Sequence, residues 1–302
     1  YSTARGRFQR VLKEHKSYRD YDLALYVDGV LAQEEGQAEQ ALRRFNLILS
    51  WFPKSRFVPD AHMVRAEYEF TKPAPDYARA LAEYEKVLSF QGTELRDLAL
   101  FKSAWTLWRL GRQDEAAKRF LTVFKDTAEA DRRSSARRAE IDELQREALR
   151  NLVTVFAEDE RNTAEDMHRF LVDAGGERFA GRIVLALAET FYDQAHYERG
   201  IEAYRLLLKL EPTHPRAYRH ALRIAQGHST IESWEALEQD YRQAIATYAP
   251  PSPVNPAGAA TKEKQPSPQG AAPQASAWHA AQSAATRQRA VAAIEKQLRQ
   301  DA

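Results

Sequence analysis

Residues 23–53 read LALYVDGVLAQEEGQAEQALRRFNLILSWFP, and this stretch decides the fold class. Its two halves carry apolar residues at helical spacing and meet at Gly36. In the second half, Ala41, Phe45 and Ile48 stand at offsets of four and seven, which places them on one face of a helix. A small residue there lets a partner helix approach closely, and the aromatic ring one turn later fills the gap. The stretch therefore predicts two helices joined by a tight turn.

The same triplet of small, aromatic and aliphatic residues recurs along the chain. The five segments are Ala4-Phe8-Val11, Ala41-Phe45-Ile48, Ala80-Tyr84-Val87, Ala116-Phe120-Val123 and Gly200-Tyr204-Leu207. Consecutive small residues are 37, 39, 36 and 84 positions apart, and the last interval equals two units of 42. Such a period predicts an array of helical hairpins whose neighbours share a core.

Composition excludes several classes of protein. The 302 residues contain 44 Lys and Arg against 43 Asp and Glu, a balance that argues against a general nucleic-acid or membrane-surface binder. There is no cysteine, which excludes disulfide scaffolds, thiol catalysis and cysteine-ligated metals. The longest strongly apolar stretch, Ile183 to Ala188, has six residues, whereas a membrane span needs about 20. Strand-type alternation is absent and glycine is scarce outside turns, so the predicted class is all-α.

Proline marks a change near the end of the chain. Seven of the 13 prolines lie between Pro250 and Pro273, in a segment with no aromatic residue. Such a segment buries too little apolar surface to offset its ordering entropy, so residues 249–275 are predicted to be a flexible, partly extended Pro/Ala/Ser-rich linker. Residues 276–302 carry Trp278 and further apolar residues at roughly helical spacing. They predict one more helix, packed on another element.

The order of turn, alanine, aromatic, aliphatic and proline at a period near 34 resembles the tetratricopeptide repeat. With Ala41 on the alanine of that family, the other matching residues are Gly29, Gly36, Phe45 and Pro53. The unit around Ala116 also matches but lacks the final proline, and extra residues (TKPAPD) leave the first helix of the Ala80 unit without a register. The resemblance covers residues 1–248. It implies a right-handed superhelical solenoid of six to seven hairpins.

Two further parts of the array are predicted from spacing. Helices near residues 139–158 and 163–174 fill the 84-residue interval, and residues 215–226 and 229–248 form another degenerate pair. Ser229 with Glu232 three residues later is typical of a helix N-terminus. Ala4 falls at the start of a second helix, so we expect the chain to begin in mid-repeat, as part of a longer protein.

The resemblance also implies a groove for partner proteins or peptides, lined by the first helix of each hairpin. Carried over by register, the groove positions are Leu98, Phe101, Trp105, Trp108 and Arg109 in one unit, Leu23, Tyr26, Val30, Gln33 and Glu34 in a second, and Arg182, Leu185, Glu189, Tyr192 and Asp193 in a third. The residues predicted to bind a partner are Tyr26, Phe101, Trp105, Trp108, Arg109 and Tyr192. The alternative is that neighbouring helices or a loop cover these aromatic rings as core. We expect Trp51, Trp234 and Trp278 to pack between helices.

Motifs for catalysis or cofactor binding are missing from the sequence. It contains no phosphate-binding glycine loop, HExxH, GxSxG or EF-hand pattern. The histidines at 214, 220 and 228 are the densest group, but none of their spacings is the three or four residues of a helical metal site. The basic run DRRSSARR at residues 131–138 is interpreted as an exposed loop, with an anionic partner surface as the alternative. We therefore predict no enzyme activity, no cofactor and no metal.

These features predict a non-catalytic scaffold or adaptor that binds partner proteins in its groove, as part of a larger complex and without binding nucleic acid. Segments such as FNLILSWFPKSRFVPDAHMVRAEYEF are similar to repeats of bacterial cell-envelope proteins, including outer-membrane assembly lipoproteins. The segment LQREALRNLVTVFAED resembles repeats of gliding-motility machines. These resemblances imply a periplasmic or outer-membrane-associated component. A cytoplasmic regulator, or the docking arm of an enzyme whose catalytic domain lies elsewhere, remains the alternative.

Overall fold

The computed structural model describes residues 2–15, 17–129, 135–249 and 271–301. Within these residues the chain forms fifteen α-helices and one short 3₁₀ helix, and no strand occurs among them. The helices are α1 (Ser2–Glu14), α2 (Tyr21–Glu34), α3 (Ala38–Trp51), α4 (Val58–Thr71), α5 (Tyr77–Ser89), α6 (Arg96–Arg109), α7 (Gln113–Glu129), α8 (Ser135–Ala157), α9 (Ala164–Asp173), α10 (Ala180–Asp193), α11 (Tyr197–Leu210), α12 (Ala217–Thr230), α13 (Trp234–Tyr248), α14 (Ala271–Ala281) and α15 (Ala284–Asp301). The prediction of an all-α chain is confirmed.

Two compact units make up the chain, Tyr1–Val155 (unit 1) and Phe156–Ala302 (unit 2). Both are built from helices that pack on their neighbours in sequence. In unit 1, α2 packs on α3, α4 on α5 and α6 on α7, and in unit 2, α10 packs on α11 and α12 on α13. This repeated pairing of adjacent helices agrees with the predicted array of hairpins.

The recurring triplets lie where the paired helices touch. Ala41, Phe45 and Ile48 of α3 are at most 1% exposed, and the corresponding residues of α5, α7 and α11 are buried as well. A Cβ atom placed on Gly29 of α2 would lie only 2.8 Å from Cε2 of Phe45. Because Gly29 has no side chain, α2 can pack directly against the Phe45 ring of α3. This is the packing that the triplet predicts.

Four of the turns inside the hairpins share one backbone conformation. Gly36 between α2 and α3 has φ 72°, and Gly111 between α6 and α7 has φ 73°. At the corresponding turns of unit 2, Ala195 has φ 60° and Glu232 has φ 56°. The geometry of the turn requires the left-handed conformation, because alanine and glutamate adopt it in unit 2 although it is unfavourable for residues with a Cβ.

The helices predicted in the 84-residue interval are present as α8 and α9. The start of α9 is fixed by a reciprocal pair of hydrogen bonds: the backbone N–H of Asp166 donates to the Thr163 hydroxyl at 3.1 Å, and the backbone N–H of Thr163 donates to the Asp166 carboxylate at 3.0 Å. Such a capping box satisfies backbone donors that would otherwise lack a partner at the helix terminus.

The helix start predicted at Ser229 is wrong. Ser229 lies in the last turn of α12, and the turn to the next helix runs through Glu232 before α13 begins at Trp234. The serine and glutamate stand at a capping-box spacing, but the positive φ of Glu232 places that glutamate in the turn. The pattern therefore falls at the end of one helix instead of the start of the next.

The C-terminal segment forms two helices, α14 and α15, instead of the single helix predicted over residues 276–302. The break follows from Ser283, whose hydroxyl accepts a hydrogen bond at 3.2 Å from the backbone N–H of Thr286 and so caps the start of α15. Of the predicted linker, residues 250–270 lie outside the described residues, and α14 begins at Ala271.

Candidate partner-binding face

Helix α6 carries most of the predicted groove residues. Phe101, Trp105 and Trp108 are each half-buried, and Arg109 at the end of the helix is exposed. The two indole rings lie with centroids 4.8 Å apart and planes 33° apart. Residues three apart on a helix are neighbours on its surface, so this spacing joins the rings into one aromatic surface.

Phe120 of α7 packs against the inner side of this aromatic surface. Its fully buried ring meets Phe101 edge-on at 5.6 Å and Trp105 edge-on at 6.2 Å. Leu98, about one turn earlier on α6, is 40% exposed. The rings of α6 are therefore anchored in the core on one side and partly accessible on the other.

Tyr26 of α2 is also half-buried. Its ring stacks on Phe57 at 4.2 Å with planes 16° apart, and it meets Phe45 edge-on at 6.0 Å. Burial raises the pKa of the Tyr26 hydroxyl, and the neighbouring carboxylate of Asp60 raises this pKa further. The hydroxyl is therefore neutral and is hydrogen-bonded to that carboxylate.

Helix α4 places acidic groups in unit 1 that the sequence analysis did not assign. Glu67 accepts a hydrogen bond at 2.7 Å from the buried Tyr84 hydroxyl, and Nζ of Lys102 lies 3.5 Å from its carboxylate. Asp60 of the same helix bonds to Tyr26, as described above. Ala66 could have set the register of α4. It is buried like Gly29 of α2 and Ala104 of α6, the first helices of the two neighbouring hairpins.

Tyr192, the predicted groove residue in unit 2, is 7% exposed. Its hydroxyl donates a hydrogen bond to the backbone carbonyl of Arg223 at 2.6 Å, and burial raises its pKa. Its ring and hydroxyl occupy the space that a Cβ on Gly200 or Gly227 would need. Tyr192 is therefore packed inside the α10–α11–α12 contact, and only a small part of it can reach a ligand.

A polar pocket of about 240 Å³ lies beside that tyrosine. It is lined by Tyr192, Asp193, Tyr197, Arg223, Gln226 and Thr230. The guanidinium of Arg223 lies 4.4 Å above the centroid of the Tyr192 ring, 3.1 Å from the Glu189 carboxylate and 2.8 Å from the Gln226 side-chain oxygen. The surface around Tyr192 is therefore charged, and its charged groups pair with each other. The surface of α6 is aromatic.

The other three tryptophans correct part of the prediction that they pack between helices. Trp278 is fully buried, as expected, but Trp51 is 57% exposed and Trp234 is 61% exposed. Trp51 is the last residue of α3 and Trp234 is the first of α13. A helix end has neighbours on fewer sides than a helix middle, which leaves these two rings in solvent.

The histidines at 214, 220 and 228 serve packing and hydrogen bonding. His228 lies 2.5 Å from the Asp240 carboxylate, and His214 stacks on His220 at 5.9 Å. Among the described residues there is no group of three or more side chains that could hold a metal ion. Most of the DRRSSARR run lies outside the described residues or has undescribed side chains.

Among the described helices, none combines the length and the apolar character that crossing a membrane requires. A search against models of protein families and a search of curated proteins found no match to this chain.

Proposed function

We propose that this protein is a non-catalytic scaffold of tetratricopeptide-like hairpins that binds a partner protein on the aromatic face of α6. The observation that carries the proposal is the Trp105–Trp108 pair, whose rings lie 4.8 Å apart and are half-buried. Together with Phe101, Leu98 and Arg109, these rings form the α6 face. The adjacent helices bury their triplets against each other, and the exposed part of these rings lies outside that packing.

The physical chemistry of the α6 face suits an anchor for a peptide or an exposed loop. Tryptophan and arginine are the residue types most enriched among interface residues that dominate binding energy. Phe120 holds the inner edges of Phe101 and Trp105, so little side-chain entropy is lost when a partner covers their outer surfaces. The exposed guanidinium of Arg109 at the edge of the face adds a charged donor for a carboxylate or carbonyl.

The test uses the full chain and a peptide selected on it from a displayed random library. We expect Trp105→Ala to weaken binding of that peptide by about 30-fold or more, the effect of losing about 2 kcal/mol at a central anchor. Trp51→Ala is the matched control, because it removes an equally large and more exposed ring from a different helix. It should change the affinity less than about threefold.

Two outcomes would refute the proposal. Equal binding by wild type and Trp105→Ala would show that the α6 face is not the site. Loss of cooperative unfolding in both Trp105→Ala and the milder Trp105→Phe would show that the ring belongs to the core. Circular dichroism during urea titration distinguishes these outcomes, because the phenylalanine introduced in the second variant keeps an aromatic ring against Phe120.

We further propose that the scaffold works in a bacterial envelope machine of the gliding-motility or outer-membrane assembly type, in the periplasm or at the outer membrane. This rests on the resemblance of residues 45–70 and 144–159 to repeats of such proteins. Fractionation of the source cells tests it: release of the protein by osmotic shock, or recovery with outer membranes, is expected. Recovery in the cytoplasmic fraction alone would contradict it and favour a cytoplasmic regulator.

A further inference from the structure

The C-terminal helices pack on the last hairpin of unit 2 through one fully buried tryptophan. The Trp278 ring of α14 is 0% exposed and meets Tyr248 of α13 edge-on at 5.1 Å and Tyr218 of α12 edge-on at 6.4 Å. Leu222 and Leu237 are buried in the same cluster. We call this surface of α12 and α13 the α12–α13 face. Without α14 it would be a pocket lined by tyrosine and leucine side chains.

Two hydrogen bonds fix how α14 lies on that face. Trp278 Nε1 donates to the backbone carbonyl of His214 at 3.0 Å, and the Gln282 amide donates to the backbone carbonyl of Thr213 at 2.7 Å. Both carbonyls belong to the turn between α11 and α12, and that of His214 also accepts a hydrogen bond from the backbone N–H of Ala217 at 3.0 Å. A tryptophan and a glutamine four residues apart therefore match two consecutive carbonyls of the turn.

α14 and α15 are locked to each other at their corner. The Arg287 guanidinium of α15 donates to the backbone carbonyl of His279 at 2.8 Å and to that of Gln282 at 3.3 Å. α15 adds Ala290 and Ile294 to the buried cluster, and Asp301 accepts a hydrogen bond from Tyr241. On the outer side of α15, Val291 is 37% exposed. The pair thus presents one continuous docking surface and leaves its other side in solvent.

We propose that α14–α15 is a tethered ligand of the α12–α13 face, and that this face is a binding site for a helix that presents a tryptophan and a glutamine one turn apart. Its occupant in the intact chain is residues 271–301 of the chain itself. The contacts support this because the apolar anchor, the two oriented donors and the exposed outer side are those of a docked helical peptide. The inference does not depend on the α6 face.

The tether explains why the site is filled in the intact chain. Twenty-one residues separate Ala249 at the end of the hairpin from Ala271 at the start of α14. Linking a ligand to its site makes binding intramolecular, with an effective concentration on the order of millimolar for short tethers. A free helix of the same chemistry therefore cannot compete at micromolar concentration until the tether is cut.

The experiment uses the full chain with the recognition sequence of a specific protease inserted after Ala260. After cleavage, the fragment that carries residues 271–301 should co-elute with the body on gel filtration at about 10 μM. A fluorescent synthetic peptide of residues 271–301 should exchange into the cleaved protein and not into the intact protein. Trp278→Ala should release the fragment, with affinity reduced about 30-fold or more. Val291→Ala is the matched control and should retain it.

Four results would overturn the proposal. Release of the wild-type fragment at 10 μM would show that the tether, and not recognition, holds the helices. Retention of the Trp278→Ala fragment with unchanged affinity would show that the tryptophan is not the anchor. Loss of helicity or cooperative melting of the body once the Trp278→Ala fragment is removed would show that α14–α15 is an integral part of the core. Equal uptake of the peptide by intact and cleaved protein would refute occlusion of the site in the intact chain.

Discussion

A buried ionic network ties α1 to the first hairpin, and it permits a quantitative prediction. The Asp28 carboxylate of α2 is completely buried and accepts hydrogen bonds from Arg5 Nε of α1 at 3.1 Å and from Arg44 Nε of α3 at 2.6 Å. Arg5 is 4% exposed and also bonds to Glu35 and to the Gln37 side chain. The Arg5–Asp28 pair is therefore shielded from solvent on both sides.

Replacing Asp28 with leucine should destabilise unit 1 by about 3 to 5 kcal/mol, because it removes one of the two counter-ions of the buried Arg5 guanidinium and the partner of Arg44. Replacing both residues, as Asp28→Leu with Arg5→Met, should return stability to within about 1.5 kcal/mol of the wild type. Removing the pair removes the desolvation penalty of both charges together with their attraction. The predicted coupling energy is thus at least about 1.5 kcal/mol, before the cost of Arg5→Met alone is added.

Urea unfolding of the full-length variants, followed by circular dichroism, measures these differences. Glu39→Ala is the control: it removes an ion pair with Arg43 on α3 whose side chains are 77% and 73% exposed, and it should cost no more than about 0.5 kcal/mol. If Asp28→Leu costs as little as Glu39→Ala, or if the double variant is as unstable as Asp28→Leu alone, the reasoning about buried charge fails.

Four other substitutions have defined outcomes. Ala195→Gly should raise the melting temperature and stabilise the protein by about 0.5 kcal/mol, because glycine tolerates the φ of 60° at this position. Gly36→Ala should lower stability by about 1 kcal/mol, because the turn needs a φ of 72° although there is open space around the new Cβ. Burial lowers the pKa of His220 to about 4. The contribution of neutral His220 to the free energy of unfolding should therefore be complete above pH 6.5 and be lost as the pH falls toward 4. His220→Asn should flatten the pH dependence of the urea midpoint. Gly29→Ala should cost about 1 to 3 kcal/mol in urea unfolding because its Cβ would meet the buried Phe45 ring at 2.8 Å, and an effect below about 0.5 kcal/mol would show that the ring can move aside.

The triplets made the helical pairs predictable because their spacing is also a packing rule. Ala41, Phe45 and Ile48 had to share a helix face, and that face had to be covered, since nothing else in the segment could bury so much apolar area. The break between α14 and α15 was missed because the apolar spacing continues across it, while Ser283 imposes a new helix start. Apolar periodicity does not show where a capping side chain competes with the helix backbone.

The candidate site was less predictable, because exposure depends on residues far along the chain. Trp108 and Tyr192 occupy the same register position, but their environments differ: Trp108 is half-buried beside Trp105, whereas Tyr192 is 7% exposed. Gly200 takes the place that alanine holds in the other triplets, and Gly227 lies on the next helix, so the Tyr192 ring can sink between them. The glycine at position 200 was visible in the sequence, but its effect required knowing which side chain faces it.

These differences explain how one repeat pattern can yield two kinds of surface. On α6, the Phe101 and Trp105 rings rest on Phe120 and are half-buried. On α10, Tyr192 is covered by the guanidinium of Arg223, which also bonds to Glu189 and so takes the position that a partner's cation would occupy. Binding at α10 would require breaking that internal ion pair, whereas covering Phe101 and Trp105 on α6 would remove water from apolar rings. The energetics therefore favour α6 over α10 as the proposed partner-binding face.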